Sequence, residues 1–146
     1  LNKLKNNYLG NSKNVDIIIK SEDSNFSVLL NEDKLLQVMI NLIENSLSLV
    51  SHRSSILINL QKTDQNFVEL KIYDQGNGIN FKDKDKIFNR FYTDRDEFRS
   101  NHSGLGLSIS KEIIKSFEGT IELTKSDNLD FRGACFMIKL PLQPVQ

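Results

Sequence analysis

Three stretches carry residues whose types and spacing could handle a nucleotide. Asp74 opens Asp74-Gln75-Gly76-Asn77-Gly78-Ile79. A carboxylate that ends a buried strand can accept from the exocyclic amine of adenine, an interaction that the carbonyl of guanine cannot make. Gly76 and Gly78 then let the backbone turn and approach a base without a Cβ clash, with Ile79 beside them. Further along runs Ser103-Gly104-Leu105-Gly106-Leu107-Ser108. Its glycines open a helix whose unsatisfied N–H groups and positive dipole end favour a phosphate. Earlier in the chain Asn41 and Asn45 share one helix face. Amide oxygens are weak Mg²⁺ ligands, sufficient when nucleotide phosphates supply the rest. Each stretch also has a plainer reading: polar positions on an amphipathic helix, an ordinary turn or calcium-loop fragment, and a simple loop-to-helix junction.

The elements that must position these groups are legible from periodicity. Val15 to Lys20 reads as a β-branched strand and Phe26 to Leu30 as a shorter one. Asn31 is placed as an N-cap, with Glu32 and Asp33 following where negative charge is favoured. Leu35, Met39, Leu42, Ile43, Ser46, Leu47 and Val50 then recur at helical spacing and predict one buried stripe through about residue 50. Ile56 to Gln61 and Phe67 to Tyr73 alternate around a turn at Thr63-Asp64-Gln65-Asn66, and this hairpin delivers Asp74 at its end. A second helix runs from Leu105 to Phe117, with Gly119 as its stop. Thr120 to Thr124 and Ala134 to Leu140 make a last strand pair, ended by Pro141. Strands in adjacent pairs rather than in alternation with helices predict a two-layer α/β sandwich, one mixed sheet with its helices on one face. No complete G-x-G-x-x-G or G-x-x-x-x-G-K-[ST] is present.

Composition narrows the function classes. The 146 residues suit one domain, and nineteen basic against nineteen acidic residues leave no global field to steer nucleic acid or an anionic membrane. A single cysteine, Cys135, rules out an internal disulfide and fits a reducing compartment. No apolar run reaches the length of a membrane span. Residues 1–14 are polar and read as a linker or the end of a preceding helix, with the domain running from 15 to 146. The start at Leu1 reads as a piece of something longer.

Taken in order, Asn41/Asn45, Asp74-x-Gly76-x-Gly78, Phe88-x-x-Phe91 and Gly104-x-Gly106 fall in the order and approximate spacing of N, G1, F and G2 boxes. The chain thus resembles the catalytic, ATP-binding (HATPase) domain of sensor histidine kinases, within the gyrase/Hsp90/MutL-like superfamily, over about residue 15 to Leu140. The stretches Ile87 to Arg95 and Asn101 to Ser110 are most similar to the ChvG/ExoS-type envelope sensor kinases. The resemblance implies a Bergerat (GHKL-type) sandwich binding Mg·ATP between the Asn helix and a lid. By position it implies Asn45 as Mg²⁺ ligand, Asn41 supporting metal or phosphates, Asp74 reading the adenine amine, and Gly76, Gly78 and Ile79 shaping the base pocket. Phe88 and Phe91 would anchor the lid, Arg95 would face phosphate, and the backbone of Ser103, Gly104, Leu105, Gly106 and Leu107 would cradle it. It further implies transfer of the γ-phosphoryl to a histidine on a separate dimerisation domain, then to a response regulator. On this reading the domain is a cytoplasmic part of an inner-membrane sensor that dimerises elsewhere, with neither nucleic acid nor membrane as its own partner.

Several positions depart from the family pattern. Ser48 and Leu49 stand where a lysine and an aromatic often follow the second Asn. Thr93 stands where many lids carry Arg, so Arg95 or Arg90 would do that work, and His102 takes the place of a usual glycine. His52 lacks the Glu and Pro partners of a phosphoacceptor and reads as a surface loop residue, while Cys135 reads as packing. Two other readings stay open at this level: an anti-sigma-type serine kinase on the same ATP fold, and a degenerate module that binds nucleotide without phosphotransfer.

Overall fold

The structure, a computed structural model, describes residues 13–22, 26–63, 66–92 and 104–143. Five strands, β1 (Asp16–Ser21), β2 (Ser55–Lys62), β3 (Phe67–Asp74), β4 (Thr120–Thr124) and β5 (Cys135–Pro141), form one sheet in the order β1-β2-β3-β5-β4. β1 runs parallel to β2 and the other pairs are antiparallel, so the sheet is mixed. Two helices, α1 (Glu32–Leu49) and α2 (Gly106–Ser116), pack on one face.

Strand alternation decides what each face holds. Along β3, Val68, Leu70 and Ile72 turn toward the helices, and Asp74 continues that series by the two-residue period. Along β5 the matching series is Phe136, Ile138 and Leu140, with Ala134 just before the strand. Together with Ile56 and Ile58 of β2, Leu42 and Ile43 of α1 and Ile114 of α2 they form the main core. Each such aliphatic side chain contributes about 1.5–3 kcal/mol on burial. The other face carries a smaller cluster, Leu57, Tyr73, Phe131 and Cys135, under the connection between β4 and β5. Asp127 fastens that connection down, accepting from Lys71 Nζ at 2.9 Å and from the Tyr73 hydroxyl at 2.7 Å. These two hydrogen bonds hold the Asp127 carboxyl below its ordinary range. Burial pulls the Lys71 ammonium down, but its bonds to Asp127 and Glu69 outweigh this and push it up overall.

Capping sets the helix ends. Asn31 accepts from Lys34 N at 3.0 Å, with Glu32 and Asp33 in the first turn as the sequence predicts. The last turn of α1 has no basic residue of its own. Lys13 supplies the cation from outside, donating to Leu47 O at 2.7 Å and Val50 O at 2.9 Å. Lys13, in the stretch the sequence reading assigned to a linker or the end of a preceding helix, thus contacts the end of α1. The rest of that linker, residues 1–12, lies outside the described residues.

One expectation is corrected: Phe26 to Leu30 is not a strand. Phe26, Val28 and Leu30 do pack against the core, but among the described residues the segment's link to the sheet end is one backbone bond from Gln143 N to Ser27 O, 2.8 Å. The alternation is that of an extended segment lying over the core without a ladder. α2 stops before Gly119 as the sequence predicts, with Glu118 in the left-handed conformation, φ 58°, and the bonds Gly119 N to Ile114 O and Glu118 N to Lys115 O closing a Schellman motif around it. Gly119 is required because a Cβ there would meet Lys139 O at 2.5 Å.

Candidate nucleotide site

Asp74 ends β3 with its side chain on the helix-covered face and is fully buried, 0% exposed. Its Oδ1 accepts from Gly76 N at 2.9 Å and from Ala134 N at 3.0 Å, so the turn after β3 and the start of β5 both close on one carboxylate oxygen. Its Oδ2 is equally buried and has no hydrogen-bond partner among the described residues. The Ser46 hydroxyl of α1, also fully buried, lies near enough to help hold the charge but falls short of hydrogen-bond geometry. Burial pushes the Asp74 carboxyl above its ordinary range, and the bonds from Gly76 and Ala134 with the nearby Ser46 only partly offset this. A buried acceptor left without a donor costs about 1–3 kcal/mol. Folding tolerates such a cost where a ligand supplies the donor.

The two glycines of the Asp74 turn do different work. Gly78 adopts φ +77°, a conformation that side chains disfavour. Gly76 instead passes the end of α1, where a Cβ would meet Leu49 O at 2.7 Å. The close approach at Gly76 is to the end of α1. Ile79 follows, half-buried against the core.

Asn41 braces the two helices against each other. Its Nδ2 donates to Gly106 O and to Ser110 Oγ, both at 3.2 Å. Both amide hydrogens are thereby engaged, leaving the carbonyl oxygen as its remaining polar atom. Asn45 lies one turn later on α1, partly buried, on the same face. The first turn of α2 stands across from them. Leu105 is its N-cap residue and no side chain caps it, so the N–H groups at Gly106, Leu107 and Ser108 have no partner within the helix. Asn41 thus fixes this open helix end beside Asn45.

Of the aromatic pair, Phe88 is buried and meets Phe136 edge-on, centroids 6.4 Å apart. Phe91 is 72% exposed, with φ +62°. Its ring does not anchor the segment as the sequence reading had it; its backbone does, donating from Phe91 N to Gly104 O at 2.9 Å. Gly104 takes φ +69°, and a Cβ on it would meet the Phe91 backbone at 2.9 Å. Arg90 reaches Glu112 on α2 at 2.8 Å. The predicted residues Arg95 and Ser103, with Thr93 and His102, lie outside the described residues.

The structure also brings in residues that sequence reasoning did not assign to the site: Ser46, Ser110, Gly133 and Ala134. Ser46 carried a signal, a hydroxyl on a stripe otherwise made of large apolar residues. Gly133 and Ala134 carried none, because their role depends on which strand lies next to β3.

A mixed five-stranded sheet with helices on one face, a buried carboxylate at the end of a central strand and an uncapped helix end nearby define a GHKL-type ATP-binding sandwich. The chain belongs to the histidine kinase-, DNA gyrase B- and HSP90-like ATPase family, whose profile matches residues 30–144, and membership implies use of ATP. It is 36% identical over 138 residues to the sensor protein ChvG of Rhizobium meliloti, spanning 89% of this chain and 24% of that protein. It is 32% identical over 126 residues to the sensor histidine kinase GlnK of Bacillus subtilis, spanning 86% of this chain and 29% of that one. The chain therefore spans about a quarter of the length of these relatives. In fold it matches the mycobacterial sensor histidine kinase MprB, with TM-score 0.82 and 23% identity over 99% of this chain and 92% of that one. It also matches a nucleotide-free catalytic domain of the histidine kinase ThkA, with TM-score 0.78 and 25% identity over 98% and 95% of the two chains. No helix among the described residues is long and apolar enough to cross a membrane.

Proposed function

We propose that this chain is the ATP-binding catalytic domain of a two-component sensor histidine kinase. The observation that carries the reading is Asp74 Oδ2, a buried carboxylate oxygen at the end of β3 without a donor among the described residues. The 6-amino group of adenine supplies the missing donor, where guanine presents a carbonyl oxygen that cannot donate. Gly78 and Ile79 would flank the base, and the N–H groups of Gly106, Leu107 and Ser108 would face phosphate. Arg95 and the Ser103–Leu107 backbone complete the phosphate side on the family pattern. Asn45 would hold Mg²⁺ by its amide oxygen, with Asn41 keeping α1 and α2 in register beside it. The donor set suits an ion that arrives with the nucleotide, since the described residues contain no cluster of three or more His, Cys, Asp or Glu that could hold a metal. When bound, the metal neutralises charge on the phosphates.

In the proposed reaction an imidazole nitrogen of a histidine on a separate dimerisation domain forms the N–P bond as the bond between the γ-phosphorus and the ADP oxygen breaks. A response regulator then accepts the phosphoryl group. The solved complex of ThkA with its response regulator TrrA supports that partnership by likeness of fold. The parent protein would be an inner-membrane sensor with this domain in the cytoplasm.

Calorimetric titration with ADP and a non-hydrolysable ATP analogue, each with and without Mg²⁺ and with GTP as control, tests the reading. Saturable, adenine-selective binding is expected. No binding at millimolar nucleotide, or equal binding of GTP, would overturn it. Incubated alone with ATP, the chain is expected to gain no acid-labile phosphate, and its appearance would place the acceptor histidine here.

A further inference from the structure

Beyond Asp74, the turn at residues 77–81 and the β4–β5 connection enclose a cavity of about 310 Å³. Gly78, Ile79 and Phe81 form one wall, and Lys125, Ser126 and Arg132 form the other. Asn41, Asn45 and Asp74 do not line it, but Gly78 and Ile79, which would flank the base, do, so it adjoins the nucleotide site from the far side of the turn that follows Asp74.

Its chemistry is cationic. The Phe81 ring is 38% exposed, with Lys84 Nζ 5.1 Å and Lys125 Nζ 5.3 Å from its centroid. An aromatic face holds ammonium groups in place without neutralising them. Arg132 Nε donates to Leu129 O at 3.0 Å, which fixes the guanidinium and leaves its two NH₂ groups for other acceptors. Among the described residues no carboxylate lies within ion-pair distance of Lys84, Lys125 or Arg132. The nearby Asp83 pairs with Lys86 instead. Two uncompensated cations in the wall, Lys125 and Arg132, with Lys84 over the Phe81 ring beside them, in a chain of zero net charge, favour an anionic occupant.

The wall is also preorganised. Asp127 pins the connection to the sheet through Lys71 and Tyr73, so Lys125 and Arg132 sit on a fixed loop and little ordering is required on binding. The volume lies at the lower end for small-molecule sites, roughly that of ten water molecules. On its far side the wall reaches Ala134, whose N–H braces Asp74 Oδ1 at 3.0 Å.

We propose that this cavity is a second ligand site, one that takes a small oxyanion, carboxylate or phosphate, and that its occupant tunes the adenine-reading turn. The tuning rests on the nucleotide reading above; the binding does not. By reciprocity, an anion that shifts nucleotide affinity has its own affinity shifted equally by nucleotide.

The test is a titration of the chain with inorganic phosphate, and separately with succinate, at constant ionic strength, followed by amide chemical shifts. Saturable shifts at Gly78 and across Lys125–Ala134 are expected with at least one of the two anions, and which one responds identifies the source chemistry. The double variant Lys125→Ala/Arg132→Ala is expected to weaken that binding at least fivefold, with its melting temperature and its anion-free ADP affinity unchanged. Shifts that do not saturate, that fall only on Gly106–Ser108, or that persist in the double variant would overturn the site. Saturable anion binding that leaves the ADP dissociation constant of the wild-type chain unmoved would overturn the tuning alone.

Discussion

Gly133 and Asp74 are in such close contact that a Cβ on Gly133 would fall inside the van der Waals surface of Asp74 Oδ1. The same Cβ would lie 2.7 Å from Asp74 O and from Gly76 N, so the obstruction is largely backbone. Gly133 N also donates to Asp74 O at 3.0 Å. The start of β5 thus closes on the end of β3 with no room for a side chain.

Gly133→Ala is therefore expected to separate β5 from the Asp74 turn. A destabilisation of about 1–3 kcal/mol is expected, in the range of overpacking a well-packed region. Thermal melting measures it, and ADP binding should weaken with it. A variant as stable as the parent would show that the contact relaxes freely.

Asp74→Asn keeps an oxygen to accept from Gly76 and Ala134 but turns the Oδ2 position into a donor. Adenine binding is expected to weaken by about 1–3 kcal/mol, since an acceptor is replaced by a group facing the amine with hydrogens. Calorimetry with ADP reads the change, and melting checks that the fold persists. Equal affinity in the variant would remove Asp74 from the site.

The raised carboxyl of Asp74 predicts a pH dependence of definite sign. The folded state holds this proton more tightly than the unfolded chain does, so its contribution to stability falls as pH rises from the ordinary aspartate range through the raised value. Nucleotide binding runs the other way, because only the ionised form is a pure acceptor. ADP affinity is expected to decline on acidification at a pH above the ordinary aspartate range, and in Asp74→Asn this decline should disappear. Titrations at a series of pH values on both proteins decide the matter.

Asn41→Ala removes both hydrogen bonds that tie α1 to the first turn of α2. A loss of about 1 kcal/mol is expected from two neutral, partly buried bonds whose acceptors also take a bond from Ser110 or regain water. The effect should be local, with hydrogen exchange at Ile109 and Ser110, the first amides bonded within α2, accelerating more than in β3. Uniform exchange changes across both would mean that Asn41 supports global stability only.

The sheet, both helices and the hairpin were legible because each has a period of its own: alternation in β2, β3 and β5, and a helical stripe through Leu42 and Ile43. Phe26 to Leu30 misled because alternation records facing and burial, whereas a strand also needs a neighbour for its backbone. Gly119 marked the end of α2 correctly, but a glycine after a helix can serve conformation or close approach, and only the position of Lys139 shows that it is the latter. Phe91 looked like a partner of Phe88, yet its ring is largely exposed while Phe88 is buried on Phe136.

By itself the sequence determined which groups the site would use. Asp74 had to end a strand, Asn41 and Asn45 had to share a helix face, and Gly104 and Gly106 had to precede a helix, since dihedral preference and hydrophobic period act within a few residues. Tertiary structure decided how those groups are used. It placed β5 beside β3, so that Ala134 took one Asp74 oxygen and left the other without a donor among the described residues, and it set α2 across from α1, so that Asn41 became a brace. Those outcomes rest on contacts between residues about sixty positions apart, and no local rule in the chain encodes which strand or helix will lie next to another.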